Sequence, residues 1–364
     1  MKITVIGCGS GAFATAADLT ERGHEVTMFV DAPHQHNFDA IRETKTIKCF
    51  GVGPQGPVTI HDVTDDVEKA VRWADLIVPV VPSNAHVDVA RSVAPYIEPG
   101  DKIFVNPGST GGALVFAKVL RDCGRIDGVK IAEVHTLPYT ARRVGDDGVS
   151  ITLLATMMYF AAFPASCNQE MHDLIAPMYP NIFPVSDVLE TGLNNGNATT
   201  HPAPVVLNAG KIEYYGRNKQ FEEGITPSVG NVIQLLDDER KDICRAFGYA
   251  EVDIKDRLVR MGYVQPRPTV YECIQTSVDI YLPLEGPNDL NHRFLVEDVP
   301  YSLVGMINVA RVAGIRAPLM ESVVRLAGAL KGVDYFAEGR TLEELGIEGM
   351  TMSEISEYLQ TGKY

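Results

Sequence analysis

The most constraining stretch of the chain is its beginning, where Lys2-Ile3-Thr4-Val5-Ile6 runs directly into Gly7-Cys8-Gly9-Ser10-Gly11-Ala12. A β-branched run, then Gly-x-Gly-x-x-Ala, then an amphipathic pattern reads as a strand, a tight turn and a helix. Gly7 permits the turn, Gly9 lets the backbone approach a pyrophosphate, and Ala12 allows the helix to pack closely on the strand. The N–H groups exposed at the helix start, aided by the helix dipole, would hold the anion. Gly7, Gly9, Ser10, Gly11 and Ala12 are therefore the expected cofactor-binding turn of a dinucleotide-binding fold. The second half offers no further flavin-contacting element, so a nicotinamide dinucleotide is favoured over a flavin.

The following sequence continues the same alternation. Further strands are expected at Glu25 to Val30, Leu76 to Val80, Lys102 to Val105 and Val129 to Val134, with helical spacing at Phe13 to Glu21 and Val87 to Tyr96. Gly51 to Pro57 reads as the turn of an inserted hairpin, and Val149 to Phe163 and Ile182 to Val185 as additions to the same sheet. Near Ser186 the β-branched runs thin out. Long helical patterns follow at Val229 to Phe247, Thr269 to Tyr281, Val299 to Ala313 and Leu319 to Leu330, then a capping-box spacing at Thr351-x-x-Glu354. The expected architecture is an α/β Rossmann domain over residues 1–185 followed by a mostly α-helical domain over 186–364, with a ligand cleft between them.

Charge narrows the partners. With 32 Lys and Arg against 47 Asp and Glu, the net charge is −15, and such a surface repels nucleic acid and anionic lipid. Anionic small molecules would need a locally positive pocket. Six scattered cysteines without a Cys-x-x-Cys pair imply reduced thiols and no zinc knuckle. The longest apolar stretch, Ile151 to Phe163, falls short of the ~20 residues a bilayer span needs. A cytoplasmic protein without a targeting segment is expected, with a homodimer left open.

Within the first domain, the residue reading the adenosine ribose should follow the second strand, where an acid suits NAD and a nearby Arg suits NADP. Here Val30 is followed by Asp31, with no Lys or Arg before Ile41; NAD is favoured and NADP kept open. His34 and His36 in that loop suit an exposed or 2′-phosphate-facing pair better than a metal site, and no metal is expected. Pro82 and Asn106 lie just past strand ends, where ligands of open α/β sheets bind, and are expected to flank the nicotinamide. Arg142 and Arg143 form a dense positive pair that fits a solvated face or a ligand contact equally.

Six segments together resemble the opine dehydrogenases, the octopine and nopaline dehydrogenase family with its bacterial norvaline-type branch. They are the glycine turn, Asn106-Pro107-Gly108, Thr136-Leu137-Pro138-Tyr139-Thr140-Ala141-Arg142, Asn197-x-x-x-His201-Pro202, Glu223-Gly224-Ile225-Thr226-Pro227-Ser228-Val229-Gly230, and Arg293-x-x-x-Glu297-Asp298-Val299. The resemblance spans nearly the whole chain, down to Gly339-Arg340-Thr341-Leu342-Glu343-x-Leu345-Gly346. It implies a reductive condensation: the amino group of an L-amino acid joins a 2-oxo acid such as pyruvate, and NAD(P)H reduces the imine. Two positions depart from the pattern. Val30 stands where an acid is expected, and His135 where small hydroxyl residues are more usual.

That chemistry needs a proton carrier beside the new C–N bond, because the amine must be neutral to attack and the carbinolamine must lose water. Histidine suits both tasks, and the resemblance points to His201. Preceding Pro202, it is expected to be extended at the mouth of a helix. Asp298 is the expected carboxylate partner; on an extended segment Glu297 would point the other way, and a helix N-cap is the competing role for Asp298. Arg293 is the expected substrate-carboxylate fork, against a surface ion pair. Ile225, Val229, Tyr271 and Tyr301 could shape an amino-acid side-chain pocket, with core packing the better reading for most of them. A ketopantoate-reductase-like hydroxyacid reductase and a non-catalytic dinucleotide sensor are the rival functions.

Overall fold

A computed structural model describes residues 1–363, with only the backbone at position 32. The chain divides into two units, Met1–Thr191 joined by the described residues from Tyr358 on, and Gly192–Glu357. The change of character expected at 185/186 thus falls six residues later, and the chain end rejoins the first unit. Physical reasons for that return lie in Tyr358, whose ring packs 4.9 Å from that of Phe163 and whose hydroxyl accepts from Arg121 at 2.9 Å.

The first unit is built on strands β1 (Lys2–Ile6), β2 (Glu25–Phe29), β3 (Thr46–Gly51), β4 (Gly56–Thr59), β5 (Asp62–Thr64), β6 (Leu76–Pro79), β7 (Lys102–Val105), β8 (Lys130–Val134), β9 (Tyr139–Val144), β10 (Gly148–Leu154), β11 (Met158–Phe163) and β12 (Ile182–Pro184). Among the described residues they form an eight-stranded sheet in the order β12-β11-β8-β7-β6-β1-β2-β5 and a four-stranded sheet in the order β4-β3-β10-β9. The large sheet is parallel except where β11 runs antiparallel to β8. Its central strands are apolar on both faces, as strands covered by helices must be. β3 and β4 form the expected hairpin around Gly51 to Gly56.

Residues Val149 to Leu154 do not extend the large sheet. They form β10, which pairs with β3 and β9 in the small sheet; only β11 and β12 continue the large one. The helix Ser10–Glu21 is buried from Ala12 through Leu19, and its Phe13 shares a core with Ile47, Ala141, Val149 and Ile151 of the small sheet. This sheet therefore lies over the glycine-turn helix.

The second unit is helical. Its long helix, Pro227–Ala246, starts with Thr226 accepting from the Val229 N–H and with Pro227 in the first turn, a strong start signal. Asp237 on that helix is fully buried and accepts from Arg240 and Arg257, each at 2.7 Å. The same two arginines donate to the carbonyls of Leu193 and Asn194, fixing the segment that leads to Asn197. The helix expected over Thr269 to Tyr281 is only Val270–Gln275. Thr276 and Ser277 end it, the first donating to the Cys273 carbonyl and the second to that of Tyr263. No helix among the described residues is long and apolar enough to cross a membrane.

Candidate active site

In the first unit the glycine turn closes over the carboxyl end of β1. Gly7 has φ +130°, and a Cβ there would stand 2.4 Å from the Val80 carbonyl oxygen, so only glycine fits. Above Gly9 the Cβ direction is open, with nothing within 4 Å, which leaves room for a pyrophosphate. Gly11 instead presses on Leu137, 3.0 Å from a Cβ, so its small size serves packing. Ala12 is fully buried on the strand side. Ser10 uses its Oγ to accept from the Arg143 N–H at 3.1 Å.

Asp31 follows β2 and is exposed, its Oδ1 2.7 Å from His34 Nδ1. Pro82, also exposed, follows β6. Asn106 follows β7; its N–H donates to the Pro79 carbonyl at 2.9 Å, while its fully buried side-chain amide has no hydrogen-bond partner among the described residues. An orphaned buried amide at a strand end and an open space above Gly9 are what a dinucleotide carrying a carboxamide and a pyrophosphate would complete. His135 is a brace: buried, it accepts from the Tyr159 N–H through Nδ1 at 3.0 Å, tying β8 to β11.

The second unit places His201 between two short helices, Asn197–Thr200 and Pro202–Leu207, with φ −99° and ψ −56°. It is helical, not extended as expected before a proline. Its N–H donates to the Asn197 carbonyl at 3.0 Å. Gln220, fully buried, donates through Nε2 to the carbonyls of Thr200 and His201 at 3.2 and 3.4 Å, which holds the junction in place.

The imidazole Nδ1 donates to Asp298 Oδ2 at 2.9 Å, with side-chain exposures of only 11% and 4%. Since a carboxylate can only accept, this bond fixes the tautomer and leaves Nε2 as the working atom. Phe294 stacks on the imidazole face, centroids 3.7 Å apart and planes at 22°, and Phe221 meets it edge-on. Asp298 precedes the wide helical turn Val299–Leu303 but makes no capping bond; its carboxylate serves His201 instead. Glu297 and Asp298 lie on helical backbone rather than an extended segment, and both are buried.

Arg293 spends its Nε on Glu297, at 3.0 Å, and its side chain is 57% exposed. Among the described residues its two terminal nitrogens have no partner, so the fork is available. Ile225 and Val229 are buried in the core. Phe294 and Gln220 were not foreseeable as site residues: Gln220 ends the polar run Arg217-Asn218-Lys219-Gln220, which reads as a solvated loop. Only the spacing of Phe294 between Arg293 and Glu297 could have drawn attention to it.

A nucleotide-type glycine turn on a parallel sheet, followed by a helical unit carrying a buried His–Asp pair, defines a two-part NAD(P)-dependent dehydrogenase. Residues 2–107 match the NAD-dependent glycerol-3-phosphate dehydrogenase N-terminus, and residues 184–331 match the alpha-helical domain of NAD/NADP octopine/nopaline dehydrogenases. The chain is 35% identical to the opine dehydrogenase of Arthrobacter sp. (strain 1C) over 352 residues, 96% of each chain. Octopine dehydrogenase solved with NADH and pyruvate superposes with a TM-score of 0.79 at 20% identity, covering 100% of this chain and 98% of that one. A ketopantoate reductase from Ralstonia eutropha JMP134 reaches 0.61 at 17% identity, covering 91% and 99%, and shares the fold alone. The protein belongs to the opine dehydrogenase family. It is an NAD(P)-dependent oxidoreductase that condenses a 2-oxo acid reductively with the amino group of an amino acid.

Proposed function

We propose that the first unit holds the dinucleotide through Gly7, Gly9, Ser10, Ala12, Asp31, Pro82 and Asn106, and that the second unit supplies His201, Asp298 and Arg293 to a 2-oxo acid and an L-amino acid. The observation that carries the assignment is the buried 2.9 Å bond from His201 Nδ1 to Asp298. It leaves Nε2 to accept a proton from the α-ammonium group, so that the neutral amine can attack the 2-oxo carbon. The same nitrogen then returns a proton to the carbinolamine hydroxyl, which leaves as water. Asp298 stabilises the imidazolium that exists between these steps. Arg293, with its terminal nitrogens available, takes a substrate carboxylate through two parallel hydrogen bonds. When bound, NAD(P)H supplies the hydride that reduces the imine.

Octopine dehydrogenase has been solved with pyruvate, and a pyruvate-like oxo acid is the reading we favour here. Asp31 at the end of β2 supports NAD as the preferred cofactor over NADP. All six cysteines are free thiols, which supports a cytoplasmic location. The exposed Tyr214–Tyr215 pair supports a homodimer, which light scattering on the purified protein reads directly.

The deciding experiment follows NADH and NADPH oxidation over a matrix of 2-oxo acids and L-amino acids, in wild type and His201→Ala. Turnover is expected only when both substrates are present. The variant should lose ~100-fold or more while still binding the dinucleotide. Turnover in His201→Ala within a fewfold of wild type would remove His201 from the proton transfers.

A further inference from the structure

Arg143 ends the small-sheet strand β9 directly over the glycine turn. Its N–H donates to Ser10 Oγ at 3.1 Å, Nη1 donates to the Cys8 carbonyl at 3.2 Å, and Nη2 donates to the Asp146 carbonyl. The guanidinium carbon lies 3.5 Å from the centre of the Phe13 ring. Nε is shut off from solvent and has no hydrogen-bond partner among the described residues. Both acceptors of the guanidinium are neutral carbonyls.

Other arginines of this chain have carboxylate partners. Arg22, Arg72, Arg240, Arg245 and Arg257 all pair with carboxylates, as expected where 47 acids face 32 bases. Among the described residues no carboxylate pairs with Arg143: Asp147 is taken by Lys48, and Asp146 offers only its carbonyl. Burial pushes the guanidinium pKa down, as it does for a cation without a close counter-ion. Its bond to the Cys8 carbonyl ties the guanidinium to the glycine turn, where the pyrophosphate of a dinucleotide lies in this fold. The neighbouring space above Gly9 is open.

We propose that Arg143 is the counter-ion for a phosphate of the dinucleotide's adenosine half, and so a determinant of dinucleotide affinity and of the choice between NADH and NADPH. The phosphate comes either from the pyrophosphate or from the 2′ position of NADPH. In both cases the hairpin of the small sheet carries a positive charge to a turn that otherwise offers only backbone N–H groups.

The test is calorimetric titration of NADH, NADPH, ADP-ribose and adenosine into wild type, Arg143→Gln, Arg143→Met and Arg143→Lys, with unfolding of each apoprotein followed in parallel. Arg143→Met keeps an apolar stem over Phe13 should Arg143→Gln fail to fold. Either neutral variant should bind NADPH about tenfold more weakly or worse, with adenosine unchanged, and Arg143→Lys should recover most of the loss. Added salt should weaken wild type more than the neutral variants. An equal loss for NADH and NADPH assigns the pyrophosphate; a loss confined to NADPH assigns the 2′-phosphate. Folded neutral variants that bind both dinucleotides as wild type does overturn the proposal and leave Arg143 as a brace of the hairpin. Wild-type binding of NADH is read in the same titrations, so a failure of the cofactor assignment itself would be seen separately.

Discussion

Replacing Asp298 by Asn removes one charge and almost no volume from the buried pair. The amide can still accept from His201 Nδ1, so the ring keeps its place under Phe294; what disappears is the field that stabilises the imidazolium. Two unit charges about 4 Å apart at an effective dielectric near 20 attract by about 4 kcal/mol. With 11% of the His201 side chain still exposed, screening brings this to about 3 kcal/mol. At about 1.4 kcal/mol per tenfold, kcat/KM should fall by about 100-fold to 200-fold. The assay is initial-rate NADH oxidation with saturating oxo acid and varied amino acid, together with NADH titration of the variant. Dinucleotide affinity should be unchanged, because Asp298 belongs to the second unit and the glycine turn to the first. A kcat/KM within a fewfold of wild type would show that the imidazole works without its carboxylate, and the proton-transfer scheme would have to be abandoned.

Gly9→Ala and Gly7→Ala should behave in opposite ways. A methyl group at Gly9 meets nothing within 4 Å, so the apoprotein should melt as wild type does while NADH binds about tenfold more weakly or worse; at Gly7, φ +130° and a carbonyl 2.4 Å away should cost about 2 kcal/mol or more in urea unfolding. Gln220→Leu removes two neutral hydrogen bonds to the Thr200 and His201 carbonyls, with an expected loss of about 2 kcal/mol in stability. If Gln220 positions His201, kcat also falls and KM stays; a change in melting temperature with kcat intact would make it purely structural. At Asp62, desolvation pushes the carboxyl up, but hydrogen bonds from Lys69 and Lys45 outweigh it and hold the pKa well below the ordinary 3.8. A depressed folded pKa contributes stability above that ordinary value and loses it as pH falls through the folded one. Asp62→Asn should therefore lower the urea midpoint near neutral pH and converge with wild type in strong acid; a gap that persists in acid would refute the linkage.

Much of the first unit was legible because β-branched runs, glycine turns and helical spacing coincide there. β1 and β7 run over Lys2–Ile6 and Lys102–Val105, the expected bounds. β10 was not assignable, since a strand with one buried face alternates the same way in either sheet, and partner choice depends on where β3 lies. The backbone at His201 was misjudged because the rule for residues before proline ranks local sterics only. Here Gln220, from a remote segment, holds the junction helical. Glu297 and Asp298 read as extended for want of a periodic pattern, in a place where helices of four and five residues meet.

Buried charge was the larger blind spot. Asp237, Arg240 and Arg257 sit on faces that an amphipathic reading assigns to solvent, yet all three are buried, and their hydrogen bonds fix Leu193 and Asn194 ahead of the His201 junction. A pair of cations sharing one carboxylate leaves a net positive charge inside the helical unit, and burying it is costly unless every donor is used. The backbone carbonyls that absorb those donors belong to the segment leading to the proposed catalytic histidine. Placing the charges there therefore trades stability for a fixed approach to His201, and the trade is visible only in three dimensions. Arg143 follows the same logic with the opposite outcome: its guanidinium donors also go to carbonyls, but among the described residues no carboxylate pairs with it. In one cluster the arginines share a carboxylate; in the other the counter-ion is one that an anionic guest can supply.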